Sequence, residues 1–172
     1  MKPHLKYGII AGVAAILWTL IMYLTGLDKS ELNKALGWIS TLIFLVFVVL
    51  AVKEQRDINK GYITFGSGFK IGFLVFLIGG VISCIYFYFQ LTVVDSSMID
   101  FMKEKAASDM AKKNMPDEQI EAAMKFMNMI FQPGVLASIG IIANIIIGSI
   151  LSLIVAAIMK KDAPMVSADQ IQ

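Results

Sequence analysis

Residues 135–159 read VLASIGIIANIIIGSILSLIVAAIM, and this stretch decides the fold. It holds no Asp, Glu, Lys, Arg or His. At about 1.5 Å of rise per helical residue it is long enough to cross a hydrocarbon layer about 30 Å thick. Three further stretches share its character, at 7–27, 35–52 and 71–94. The second is short, but falls within the tolerated range of about 17–25 residues. Many of these residues are β-branched or aromatic, which in water would suggest strands, but strands are much shorter. Barrel strands would also alternate polar and apolar residues, and these do not. Backbone groups in hydrocarbon must be bonded within their own segment, so each stretch is expected to be helical. The expected fold is all-α: an integral membrane four-helix bundle, with residues 1–172 forming one membrane domain.

Composition agrees. The chain is 58% hydrophobic and 16% charged, with a mean hydropathy of +0.75. A soluble domain of 172 residues has too much surface for its volume to hide so much apolar area. The net charge of +2 and the lack of a basic run with interleaved aromatics exclude nucleic acid as a partner. Membrane lipids are the expected surroundings. The single cysteine, Cys84, excludes an intrachain disulfide framework and reads as a small buried hydrophobe. The first stretch follows Lys2 and Lys6 as a signal peptide would. It is longer than a signal h-region, and Leu24-Thr25-Gly26-Leu27 offers no small-x-small cleavage site, so it is expected to stay as a span.

Charge gives the orientation. The N-terminal tail, the connection 53–70 and the C-terminal tail carry eight Lys and Arg: Lys2, Lys6, Lys53, Arg56, Lys60, Lys70, Lys160 and Lys161. Glu54, Asp57, Asp162 and Asp169 oppose them. The other side carries seven lysines among nine acids, and two of those lysines, Lys112 and Lys113, lie far from any span. The positive-inside rule then puts both termini in the cytoplasm. Trp38 and the run Tyr86–Phe89 fall near the outer interface.

The connection of about forty residues between the third and fourth stretches has its own periodicity. Ile99, Met102, Ala106 and Met110 recur at helical spacing, and after Asn114-Met115-Pro116 the pattern resumes with Ile120, Met124, Met127 and Phe131. Pro116, Asp117 and Glu118 suit a helix start, and Gln132-Pro133-Gly134 breaks the chain. Two extramembrane amphipathic helices are expected, an outer hairpin over about 97–131. Ile120, Met124, Met127 and Phe131 are its candidate interaction face, for a second copy of the chain, a membrane-protein partner, lipid or the bundle itself. Seven of the eleven methionines fall in this region. Thioethers can hold copper(I), but no His or Cys accompanies them, so the expectation is an adaptable apolar face and no metal.

The inner connection contains Gly61-Tyr62-Ile63-Thr64-Phe65-Gly66-Ser67-Gly68-Phe69-Lys70-Ile71-Gly72. Its spacing fits neither a dinucleotide fingerprint nor a phosphate loop. It reads as an interfacial turn into the third span, with Thr64 capping the helix and Phe65, Phe69 and Lys70 as interfacial anchors. Small residues recur at helix-packing intervals: Gly8 and Gly12, Gly68 and Gly72, and the stripe Gly140, Asn144, Gly148, Ser152, Ala156. Asn144 should face protein, with Thr19, Thr41 or Ser83 as partner.

The spans contain none of the carboxylates, histidines or arginines that ion pathways and intramembrane catalysis use. The only histidine, His4, lies in a tail. No catalytic residue, cofactor or metal site is expected, so the chain is read as non-enzymatic, with a structural or partner-binding role for the outer hairpin. The alternatives are a small transporter or channel subunit with the Asn144 stripe lining a path, and a lipid-handling protein with the hairpin as a lid.

Four features together resemble the bacterial membrane-protein family catalogued as domain of unknown function 4199. They are Tyr7-Gly8 with Gly12, the segment Gly61-x-x-Thr64-Phe65-Gly66-x-x-Phe69-Lys70-x-Gly72, the helical connection ending in Pro133, and Lys160-Lys161 after the last span. The resemblance covers nearly the whole chain and implies a four-helix inner-membrane protein. It brings no activity and no catalytic residues with it.

Overall fold

The computed structural model describes residues 1–163; Asp169, counted above among the inner acids, lies outside the described residues. Six α-helices follow one another: α1 Pro3–Leu24, α2 Asn33–Ile58, α3 Phe65–Phe89, α4 Ser97–Lys112, α5 Asp117–Ile130 and α6 Pro133–Met159. A short 3-10 turn, Leu27–Lys29, links α1 to α2, and one π-type turn, Gln90–Val94, extends α3. α1, α2, α3 with its extension, and α6 are each long and apolar enough to span a membrane.

The helices run beyond the apolar stretches. α2 continues past Val52 through Lys53-Glu54-Gln55-Arg56 to Ile58, and α3 begins at Phe65 rather than Ile71. Hydropathy marks where lipid ends, whereas a helix ends where its capping allows. Thr64 supplies such a cap: its Oγ1 accepts a hydrogen bond from the Ser67 N–H at 3.3 Å.

α3 is the hub, with its largest interfaces against α6 and α1. Its contact with α6 is an antiparallel zipper. Gly68 faces Ala156, Gly72 faces Ser152, Phe76 faces Gly148, Gly80 faces Asn144 and Cys84 faces Gly140. Each step of four residues along α3 meets a step of four back along α6, so small residues on one helix repeatedly meet the other at close range. On the opposite side, Gly8 of α1 abuts Ile78 and Val75, and Gly12 abuts Gly79 and Ile82. α2 joins through Val48, Val52 and Phe44, whose ring stacks on Phe76 with centroids 5.1 Å apart. α2 and α6 touch little, which leaves a cleft between them.

The outward faces remain apolar. Ile9, Val13, Leu17 and Ile21 of α1 and Ile139, Ile142, Ile146 and Ile150 of α6 are exposed. Such stripes would be an aggregation liability in water, and lipid is the solvent that covers them. The protein is membrane-embedded.

At one end of the bundle, Ile63 and Lys161 exchange two backbone hydrogen bonds, of 2.8 Å and 2.9 Å, which tie the α2–α3 turn to the segment after α6. The turn itself needs left-handed backbone at Lys60 and Gly61, with φ of 58° and 91°. Lys6 of α1 meets Glu54 of α2 at 2.6 Å at the same end.

A polar cleft and an open helical hairpin

The opposite end of the bundle carries an unusual concentration of buried polar groups. α1 ends at Leu24, and Gly26 turns the chain with φ of 70°. The 3-10 turn then folds Asp28 under the bundle, leaving it only 7% exposed. Asn33 Nδ2 donates to the Asp28 backbone oxygen at 2.7 Å and holds the turn against α2. Trp18 Nε1 donates to the Leu36 carbonyl at 3.2 Å, joining α1 to α2.

Gln90 arrives from the other side. The Asp95 N–H donates to the Gln90 carbonyl at 2.8 Å, five residues back, so the last turn of span three is widened. This turn directs Gln90 and Leu91 into the protein, and Gln90 is 5% exposed. Asp28 and Gln90 line one cleft of about 170 Å³ with Trp18, Thr19, Met22 and Leu91. Among the described residues neither Asp28 Oδ2 nor Gln90 Oε1 has a hydrogen-bond partner.

A second cleft of about 250 Å³ shares Thr19, Ser40 and Phe87 with the first and reaches Thr41, Ser83 and Asn144. The three hydroxyls named as partners for Asn144 therefore line the same cleft as its amide. None of them bonds to it among the described residues: Thr19 Oγ1 donates to its own helix at Ala15, and Ser83 Oγ has no partner. The Asn144 amide packs against Gly80, where a Cβ would collide with it.

A clamp joins this end to the hairpin. Lys29 Nζ lies 2.8 Å from Asp95 Oδ2 and donates to Ser97 Oγ at 3.0 Å, while Ser97 Oγ donates to Asp95 Oδ1. The Lys29 ammonium holds the Asp95 carboxyl below the usual carboxylate range, with Ser97 assisting, and Asp95 in turn raises the Lys29 ammonium. The clamp fastens the start of α4 to the α1–α2 turn.

Beyond the clamp and a longer Lys105–Glu31 ion pair of 3.7 Å, the hairpin is open. Neither α4 nor α5 buries a residue. α5 packs on α4 and on the start of α6. Of the candidate interaction face, Ile120, Met124 and Met127 are half-buried, and Phe131 is buried at the joint with α6. The free edge of α5 is a neighbouring stripe: Ala122, Phe126 at 60% exposure and Met129 at 57%.

The remaining sequence-predicted positions divide by location. Gly8, Gly12, Gly68, Gly72, Gly148 and Ser152 sit in helix contacts, while Gly140 is looser, with only Cys84 Sγ within reach of an added Cβ, at 3.6 Å. Phe65 and Lys70 are exposed at the start of α3, and Phe69 stacks on Phe73 with centroids 5.9 Å apart. The sequence reading missed the paired Gly79-Gly80, which meet α1 and α6 respectively, although Gly72, Phe76 and Gly80 continue the same four-residue step. It also passed over Asp28 and Gln90. In sequence these look like a solvated turn residue and an interfacial amide.

The fold and its clefts define a small, all-helical, membrane-embedded protein with an extramembrane helical hairpin. The chain belongs to the family described as protein of unknown function (DUF4199), whose model matches residues 6–161. No curated protein and no solved structure matches it.

Proposed function

We propose that this chain is a non-enzymatic, multi-pass protein of the bacterial inner membrane, with both termini cytoplasmic, whose outer hairpin binds another membrane protein. One observation carries this reading: α5 leaves Phe126 and Met129 exposed on a helix pair that buries no residue of its own. Large apolar side chains grouped on an extramembrane face favour a partner surface, and Met suits adaptable contacts. The occupant is a membrane protein for two reasons. Only Phe131 and Gln132 separate α5 from α6, so the exposed edge stays close to the bilayer. The polar side of α5 carries Asp117, Glu118 and Glu121 against Lys125, which disfavours anionic headgroups.

A photoreactive phenylalanine analogue at position 126 tests this in native membranes. The expected product is a discrete adduct with a different membrane protein, weakened by Met129→Ser. Adducts with lipid alone, or only at the mass of a dimer, would replace this reading. A separate reading, a path for a small solute, is favoured by the unpartnered acceptors of the polar cleft.

A further inference from the structure

The polar cleft has a specific chemical bias. Two of its donors are already engaged: Trp18 Nε1 binds the Leu36 carbonyl and Asn33 Nδ2 binds the Asp28 backbone. Its acceptors are not. Among the described residues Asp28 Oδ2 and Gln90 Oε1 are buried and have no hydrogen-bond partner, on residues that are each more than nine-tenths covered. The adjacent cation, Lys29, is drawn away to Asp95 and Ser97. A buried carboxylate without a counter-charge is costly, and so is a buried amide oxygen without a donor. Apart from Thr19, Asn33 and Ser40, the rest of the wall is apolar or aromatic, with Trp18, Met22, Phe87, Leu91 and Met98.

The geometry points to a binding site for a small organic ammonium. Its N–H groups meet Asp28 and Gln90, and its short carbon body lies against Trp18 and Phe87. Charge-assisted hydrogen bonds satisfy both acceptors at once, and an aromatic face beside the cation adds to the attraction. A bare metal ion fits less well, because hard cations take about six or more oxygen ligands and this wall is mostly apolar. The second cleft, continuous through Thr19, Ser40 and Phe87, gives the site a polar extension toward Asn144. The inference is independent of the hairpin's partner.

Trp18 reports on the site. The chain has two tryptophans, and the other, Trp38, is 67% exposed, so Trp38→Phe leaves a single reporter in the cleft. The full-length variant in maltoside micelles is titrated with n-butylammonium chloride while Trp18 emission is followed. A saturable change is expected, with none from sodium chloride or n-butanol. Asp28→Asn should weaken the apparent affinity by roughly tenfold or more, and Gln90→Leu by about threefold. The proposal is overturned by an unresponsive Trp18, by an equal response to sodium, or by unchanged affinity in Asp28→Asn. Should Asp28→Asn fail to fold, Gln90→Leu decides, since unchanged binding there also overturns it. Phe126→Ser should leave the titration unaltered, which separates this site from the hairpin.

Discussion

Gly148 lies so close beneath Phe76 that a methyl group added to it would sit 2.6 Å from the Phe76 Cβ. Eight residues earlier on the same stripe, Gly140 meets only Cys84 Sγ, at 3.6 Å. The two glycines share a face but not a constraint. Gly148→Ala should therefore destabilise the bundle by roughly 1–3 kcal/mol through overpacking, while Gly140→Ala should leave it unchanged. Thermal unfolding of both variants in the same micelles is the measurement, and equal midpoints would contradict the zipper.

The Lys29–Asp95 clamp predicts an acid-sensitive hairpin. Asp95 is held below its ordinary value, so its contribution is complete above the usual carboxylate range and fades as pH falls through the lowered value. Lys29 is raised, so its share is complete below the usual lysine range and fades as pH climbs through the raised value. Stability should be flat on this account through neutrality. Asp95→Asn should reduce the acid-side dependence, with Glu54, which Lys6 also holds low, keeping its own share; an unaltered acid limb in its unfolding profile would contradict the clamp.

The inner turn should respond to its cap. Thr64→Ala removes the acceptor for the Ser67 N–H and should cost about 0.5–1 kcal/mol, whereas Thr64→Ser should keep most of it. Gly61→Val forces a β-branched residue to a φ of 91° and should cost more than the lost cap. Chemical denaturation of the three variants would rank them.

Orientation is open to labelling. In a Cys84→Ser background, a cysteine replacing Lys112 should react with an impermeant maleimide on intact cells, and one replacing Asn59 should react only after permeabilisation. Both positions are exposed, so accessibility within the protein does not limit the reaction. Reaction at position 59 from outside would reverse the assignment.

The spans were legible because lipid imposes a length and a polarity that no local preference overrides. The α3–α6 contact was half legible. The four-residue step of Gly140, Gly148 and Ser152 pointed to a packing face, but nothing in it showed that Gly68, Gly72 and Gly80 supply the opposing surface. The polar cleft was not legible. Asp28 follows Gly26-Leu27 and precedes Lys29 and Glu31, a context that reads as a solvated turn, and only the 3-10 turn carries it inward. Gln90 depends on a π-type turn, and Gln90-Leu91-Thr92-Val93-Val94 bears no mark that distinguishes it from an ordinary helix end. Burial of these two groups is a tertiary outcome.

The joint between α5 and α6 carries a mechanical consequence. The chain axis breaks at Gln132, whose ψ is 135°, and Phe131 is packed rather than free. The far end of α5 stands about 20 Å along the helix from that joint. With so little slack between them, α5 acts as a lever on α6. Rotation of the last span within the bilayer would be passed outward along α5, and the end at Asp117, rather than the Phe126 edge near the joint, would move farthest.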